Sequence, residues 1–164
     1  MAGRRLFLAA SATALVAGCG FQLRQAPVFA FQKIYVSSAP GSALVDDIKR
    51  GIGTGSNIAV VADPAAAQVI LDVLLDRREK VVVGINASGE VREFQLRTRF
   101  QFRLRTPQGK ELIPATELLQ QRDIGFTEST ALAEEQGEQL LYRDMQADIV
   151  QQVMRRLAAV KTIA

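Results

Sequence analysis

The chain has no histidine and only one cysteine in 164 residues, and none of its apolar runs approaches the roughly 20 residues needed to span a membrane as a helix. The first absence removes the commonest general base and the commonest metal ligand. With a single thiol, neither an internal disulfide nor a cysteine-based zinc site can form. There is no Gly-x-Ser-x-Gly elbow, and the acidic residues are dispersed without a paired-carboxylate motif. The glycines of Gly53-Thr54-Gly55-Ser56-Asn57 are not followed by the Lys-Ser/Thr of a phosphate-binding loop. These absences argue against an enzyme and against a metal or other cofactor. The formal charge of +3 includes Arg4 and Arg5 at the extreme N-terminus; without them the twenty basic residues fall to eighteen, against seventeen acidic. A near-neutral domain gives no basis for nucleic-acid binding. What remains, 48% hydrophobic and 23% charged, is the composition of one folded domain. A chain of this size buries roughly two thirds of its unfolded surface.

The first residues have a separate logic. Arg4-Arg5 precede a short apolar stretch, Leu6 to Val16, and then small residues lead to Cys19. A charged start, an apolar segment of that length and a small-residue cleavage site make a secretory signal. Val16-Ala17-Gly18-Cys19 resembles the bacterial lipobox, in which the signal peptidase cuts between Gly18 and Cys19. The thiol then takes a diacylglyceryl group. An ordinary signal peptide with a stray thiol is the alternative, but the lone cysteine stands at the one position where lipidation would consume it. Arg4-Arg5-Leu6-Phe7-Leu8 also resembles the core of a twin-arginine signal, set against the commoner basic start of general secretion. Two acyl chains suffice for stable membrane attachment. Gly20 is not the aspartate that retains many lipoproteins at the inner membrane, which favours the periplasmic leaflet of the outer membrane. The expected organisation is a removed signal peptide over 1–18, a lipidated tether over 19–30 and a single domain over 31–164.

Within that domain, Phe31 to Ser37 reads as a strand. Ser42 is a plausible cap for a helix carrying Leu44, Ile48 and Ile52 on one face, with Asp46 and Asp47 near its positive end. A short extended piece, Ile58 to Ala62, leads through Asp63-Pro64 to a long strand near Gln68 to Val83, where Ile70 and Leu74 spoil a clean polar face and mark a central strand. Asn86-Ala87-Ser88-Gly89 signals a turn. The next strand is the clearest periodic element. Phe94, Leu96, Thr98, Phe100, Phe102 and Leu104 alternate with Gln95, Arg97, Arg99, Gln101, Arg103 and Arg105. One of its faces must pack on a core and the other meet water or a partner. After Thr106-Pro107-Gln108-Gly109 a fourth strand runs from about Glu111 to Phe126, with Pro114 suited to an edge or a bulge. A long helix capped at Thr130 follows, bearing Glu134 and Glu135 early and an apolar stripe of Leu141, Met145, Ile149, Val153 and Leu157, widened by Leu140, Tyr142, Val150 and Val160. Gly137 weakens it by up to about 1 kcal/mol relative to alanine. The predicted fold class is α+β: a four-stranded, mostly antiparallel sheet in the order β-α-β-β-β-α, with both helices on one face.

Cys19-Gly20-Phe21-Gln22-Leu23-Arg24, the C-terminal set Ala131-Leu132-Ala133, Glu138, Leu141, Tyr142, Asp144-Met145 and Arg155-Arg156-Leu157, and the element order together resemble the LptE family of lipopolysaccharide-assembly lipoproteins, over nearly the whole chain. The resemblance implies a non-enzymatic outer-membrane subunit that plugs and helps assemble the LptD β-barrel and contacts lipopolysaccharide. Glu134 and Glu135 stand where some members carry basic residues, which weakens any lipopolysaccharide contact at that corner. Another periplasmic lipoprotein, auxiliary to a different lipid-transport or cell-wall synthesis complex, is the second reading.

The candidate binding residues are Arg97, Arg99, Arg103 and Arg105, with Arg78, Lys80 and Arg92 extending the basic surface. Residues two apart on a strand lie about 6.6 Å from each other, where unit charges in water repel by roughly 0.6 kcal/mol. The pattern is therefore tolerable without a ligand. Three readings stay open: guanidiniums on lipid A and core phosphates, guanidiniums on acidic residues of a barrel wall, or a solvated face in which Asp72 and Asp76 pair across strands with the arginines.

Overall fold

The computed structural model describes residues 28–37, 41–54, 58–125 and 131–163, so Cys19, the signal segment and the Thr130 cap lie outside the described residues. Among the described residues, the Phe29 ring lies 5.6 Å from that of buried Phe31. Five strands follow: β1 (Lys33–Ser37), β2 (Ala59–Val60), β3 (Val69–Ile85), β4 (Val91–Arg105) and β5 (Glu111–Gly125). The helices are α1 (Ala43–Thr54) and α2 (Ala131–Ala159).

The sheet has five strands, not four, in the order β2-β1-β3-β4-β5, and it is mixed. The expected short extended piece at Ile58 to Ala62 contributes β2, which pairs parallel with β1; β1 in turn pairs parallel with β3. Two backbone hydrogen bonds hold β2, from Ala59 N to Gln32 O (2.8 Å) and from Val61 N to Ile34 O (2.9 Å). Two residues are too few to carry a period, which is why the pattern alone did not reveal the strand. Its parallel sense follows from the helix interposed between β1 and β2. β3, β4 and β5 form a long antiparallel meander, turned at Gly89 and Gly109 with φ of 82° and 95°. Those left-handed values suit glycine.

The alternation in β4 is realised as read: Leu96, Thr98, Phe100, Phe102 and Leu104 are buried. β3 is central, as expected, but its parity changes midway. Val73 faces Phe102 and Leu75 faces Gln101, so Leu74 has no partner opposite and forms a bulge. Before the bulge Leu71 and Val73 share the helix side with Leu104 and Phe102; after it Asp76, Arg78 and Lys80 occupy that side. Pro114 lies where β5 slips against β4, between the Phe102–Thr116 and Leu104–Ile113 pairs, on an edge strand.

Both helices cover one sheet face. The Ser42 hydroxyl accepts from Val45 N at 3.1 Å and caps α1, whose Leu44, Val45, Ile48 and Ile52 are buried. These join Ile34, Val36, Leu71, Phe100, Phe102, Ile149, Val153 and Leu157 in the main core. A smaller cluster of Leu96, Tyr142 and Met145 lies under the first half of α2. The α2 stripe holds at Met145, Ile149, Val153 and Leu157, but Leu140 is exposed, because it falls outside the arc facing the sheet.

Candidate partner-binding face

With α1 and α2 on one side, the other face of the meander is left to Ile70, Asp72, Leu75, Arg77, Glu79 and Val81 of β3, the odd residues of β4, and Glu117, Leu119, Gln121 and Asp123 of β5. Strand geometry makes these side chains a flat array with cross-strand neighbours about 5 Å apart. The candidate arginines Arg97, Arg99, Arg103 and Arg105 all stand on it.

Most of the array is paired. Arg103 Nε and Arg105 Nε donate to Asp72 Oδ2 at 2.8 and 2.7 Å, and Arg105 reaches Oδ1 at 3.3 Å. The Asp72 side chain is only 12% exposed. Burial alone would raise its pKa, but the hydrogen bonds from Arg105 and Arg103 outweigh that and hold the carboxyl below its ordinary range. Arg99 forms a two-point pair with Glu117, at 2.8 and 3.2 Å, which holds the Glu117 carboxyl low as well. Arg97 Nε donates to Gln95 Oε1 at 2.6 Å, and Gln95 passes the contact on to Asp123 at 2.8 Å.

Two expectations about this surface, those for Lys80 with Arg78 and for Asp76, are corrected. Lys80 and Arg78 do not extend it: the bulge at Leu74 turns both to the helix side. There Lys80 Nζ pairs with Glu138 Oε2 at 2.6 Å and sits 4.5 Å from the Phe94 ring centre, while Arg78 donates to Gln146 and lies over Tyr142. Asp76, for the same reason, does not face the arginines and accepts from the Ser42 hydroxyl. Arg92 sits in the irregular end of the β3–β4 hairpin, beyond the row, and pairs with Glu90 at 2.6 Å. Arg77, Glu79 and Glu117 also belong to this face, and no local alternation marks them as members. The doublet Leu74-Leu75, which breaks the alternation, was the available signal for the shift that brings Arg77 and Glu79 onto this face.

The helix side explains several residues of the C-terminal set by packing alone. The buried Tyr142 hydroxyl donates to Glu79 O at 2.9 Å; burial and then Glu138 push its pKa up. Glu138 holds Lys80, and Met145 and Leu157 are in the two cores. Among the described residues, no group of three or more His, Cys, Asp or Glu could hold a metal ion, and no helix is long and apolar enough to cross a membrane. Two open cavities lie against α1; one, about 450 Å³, is lined by Tyr35, Ser42, Val45, Asp46, Lys49 and Val60 among others, and none of the row's arginines lines either.

A mixed five-stranded sheet backed by two helices, with ion pairs across its other face, is the fold of a small α+β domain. The family comparison places it further: residues 31–157 match the profile described as LptE, lipopolysaccharide-assembly, and the chain belongs to that family. The family is one of non-enzymatic, membrane-associated lipoproteins that act in lipopolysaccharide transport and outer-membrane assembly. Among solved structures, the chain is similar to uncharacterized lipoprotein B from Nitrosomonas europaea, with 33% identity over 85% of this chain and 91% of the other and a TM-score of 0.75. It shares its fold with rare lipoprotein B from Shewanella oneidensis (20% identity, 78% and 95% covered, TM-score 0.65) and with a minor lipoprotein from Acinetobacter baumannii (20%, 80% and 94%, 0.64). A search of curated protein sequences finds no match.

Proposed function

We propose that the chain is anchored in the periplasmic leaflet of the outer membrane by lipids on Cys19 and docks its uncovered sheet face inside an LptD-like β-barrel. There it acts as plug and assembly partner and helps deliver lipopolysaccharide to the outer leaflet. It needs no cofactor beyond the lipid. The observation that carries this reading is the meander itself: three strands of fifteen to seventeen residues present a face that, among the described residues, no helix covers, in a chain of a lipopolysaccharide-assembly family. Ion pairs across such a face cost little in water and would match a polar barrel lumen. In this reading Arg97, Arg99, Arg103 and Arg105 are partner-facing, and lipopolysaccharide phosphates are a second class of ligand for the same guanidiniums.

Detergent extraction of membranes and affinity capture of the full-length chain tests this. The expected result is a large β-barrel recovered at one-to-one stoichiometry, with an acylated N-terminal cysteine in the peptide map. Capture of an inner-membrane or cell-wall synthesis complex without a barrel would refute it.

A further inference from the structure

On the uncovered face Arg77 lies directly opposite Arg99, and Glu79 directly opposite Arg97, so these four side chains occupy the corners of one square across two rungs of β3 and β4. Three corners are cationic and one is anionic. Arg99 is satisfied from outside the square by its two-point pair with Glu117 on β5. Arg77 and Arg97 are then left with Glu79 between them. Arg77 approaches it only at 3.7 Å and its side chain is 61% exposed, while Arg97 bonds a neutral glutamine and, among the described residues, forms no ion pair. The contrast with the other end of the row is direct: both guanidiniums there hold the Asp72 carboxylate at 2.7–2.8 Å. Within the square one carboxylate stands between two guanidiniums, and Asp123 reaches Arg97 only through the Gln95 amide.

We infer that Arg77 and Arg97 form the anion-accepting point of this face and take a carboxylate from a protein partner. The inference rests on the barrel-docking reading above and narrows it to two residues. A protein surface fits better than a phosphate group. The square lies on an open sheet face, and none of its four residues lines either cavity against α1. Leu119, 49% exposed, stands opposite Arg99 on the same face, with Leu75 and Val81 of β3 on that face as well. Arginine beside aliphatic side chains on a flat surface is the composition of a protein interface. An arriving Asp or Glu would give each guanidinium the charge-assisted bond it lacks.

The test uses the full-length lipoprotein captured from detergent-solubilised membranes, comparing wild type, the pair R77E/R97E, and the charge-matched pair R155E/K161E on exposed positions elsewhere. Thermal melting of each checks that it folds. Wild type and R155E/K161E should recover the barrel equally, and R77E/R97E should recover it at least about tenfold less, with wild-type recovery falling as salt rises. Equal recovery by R77E/R97E overturns the inference while leaving barrel docking intact; no barrel with wild type overturns both. If R77E/R97E keeps the barrel but loses capture of purified lipopolysaccharide, the site takes phosphate and the carboxylate assignment is wrong.

Discussion

At the scale of residues, the uncovered face is held by a few well-placed charges, and Asp72 is the clearest case. A carboxyl whose folded pKa lies below its unfolded value, about 3.9, stabilises the fold above that value and loses the contribution as pH falls through the folded one. Asp72 is such a group. Asp72→Asn should therefore cost about 1–2 kcal/mol at pH 7, read from urea midpoints, and progressively less below about pH 4, where the wild-type carboxyl also takes up a proton. A cost that stays constant down to pH 2 would mean that its charge is not what matters. Thr98 is the opposite case. Its Oγ1 is buried on the helix side and, among the described residues, has no hydrogen-bond partner. Removing an unsatisfied buried hydroxyl while keeping the shape relieves a desolvation cost, so Thr98→Val should leave the unfolding free energy measured in urea unchanged or raise it by up to about 1–2 kcal/mol.

At the scale of elements, the decisive feature is the bulge at Leu74. One unmatched residue moves Asp76, Arg78 and Lys80 from the arginine side to the helix side, where Ser42, Gln146 and Glu138 meet them. Deleting Leu74 would restore strict alternation and pull all three out of register with those partners. The deletion should abolish cooperative unfolding, or cost more than about 4 kcal/mol by chemical denaturation. The alternation in β4, the α1 cap at Ser42, the edge character of Pro114 and most of the α2 stripe were legible in the sequence, because each is a local signal of period, cap or breaker. The parity of β3 was not: register belongs to a pair of strands, and a bulge is visible only against the partner. For the same reason the arginine row was found while its partners Glu79 and Glu117, set by β3 and β5, were missed. α2 offers a simpler test. Gly137 is exposed, and a Cβ added there would meet nothing within 4 Å. Gly137→Ala should raise stability by about 0.5–1 kcal/mol, an increase of a few degrees in melting temperature. A lower melting temperature would mean that the glycine serves something other than helix formation.

At the scale of the whole molecule, the fold divides its two faces cleanly. One is consumed by helices and core, and the other is a long sheet face whose charges are unevenly paired, tight around Asp72 and loose around Glu79. A lipid on Cys19 would hold that face at a membrane and restrict its search for a partner to two dimensions. Replacing residues 1–19 with a cleavable signal that carries no lipobox cysteine should shift the chain from the membrane fraction to the soluble fraction of disrupted cells, because both the acyl anchor and the apolar leader are then gone. The central claim concerns which face meets the partner. Site-specific photo-crosslinkers placed in living cells at Gln101 and Leu119 on the uncovered face, and at Gln139 and Leu140 on exposed turns of α2, test it most directly. The account predicts high-mass adducts with a single outer-membrane β-barrel from Gln101 and Leu119, and more of them than from the helix positions. Adducts formed from Gln139 and Leu140 alone, with the sheet face silent, would contradict it.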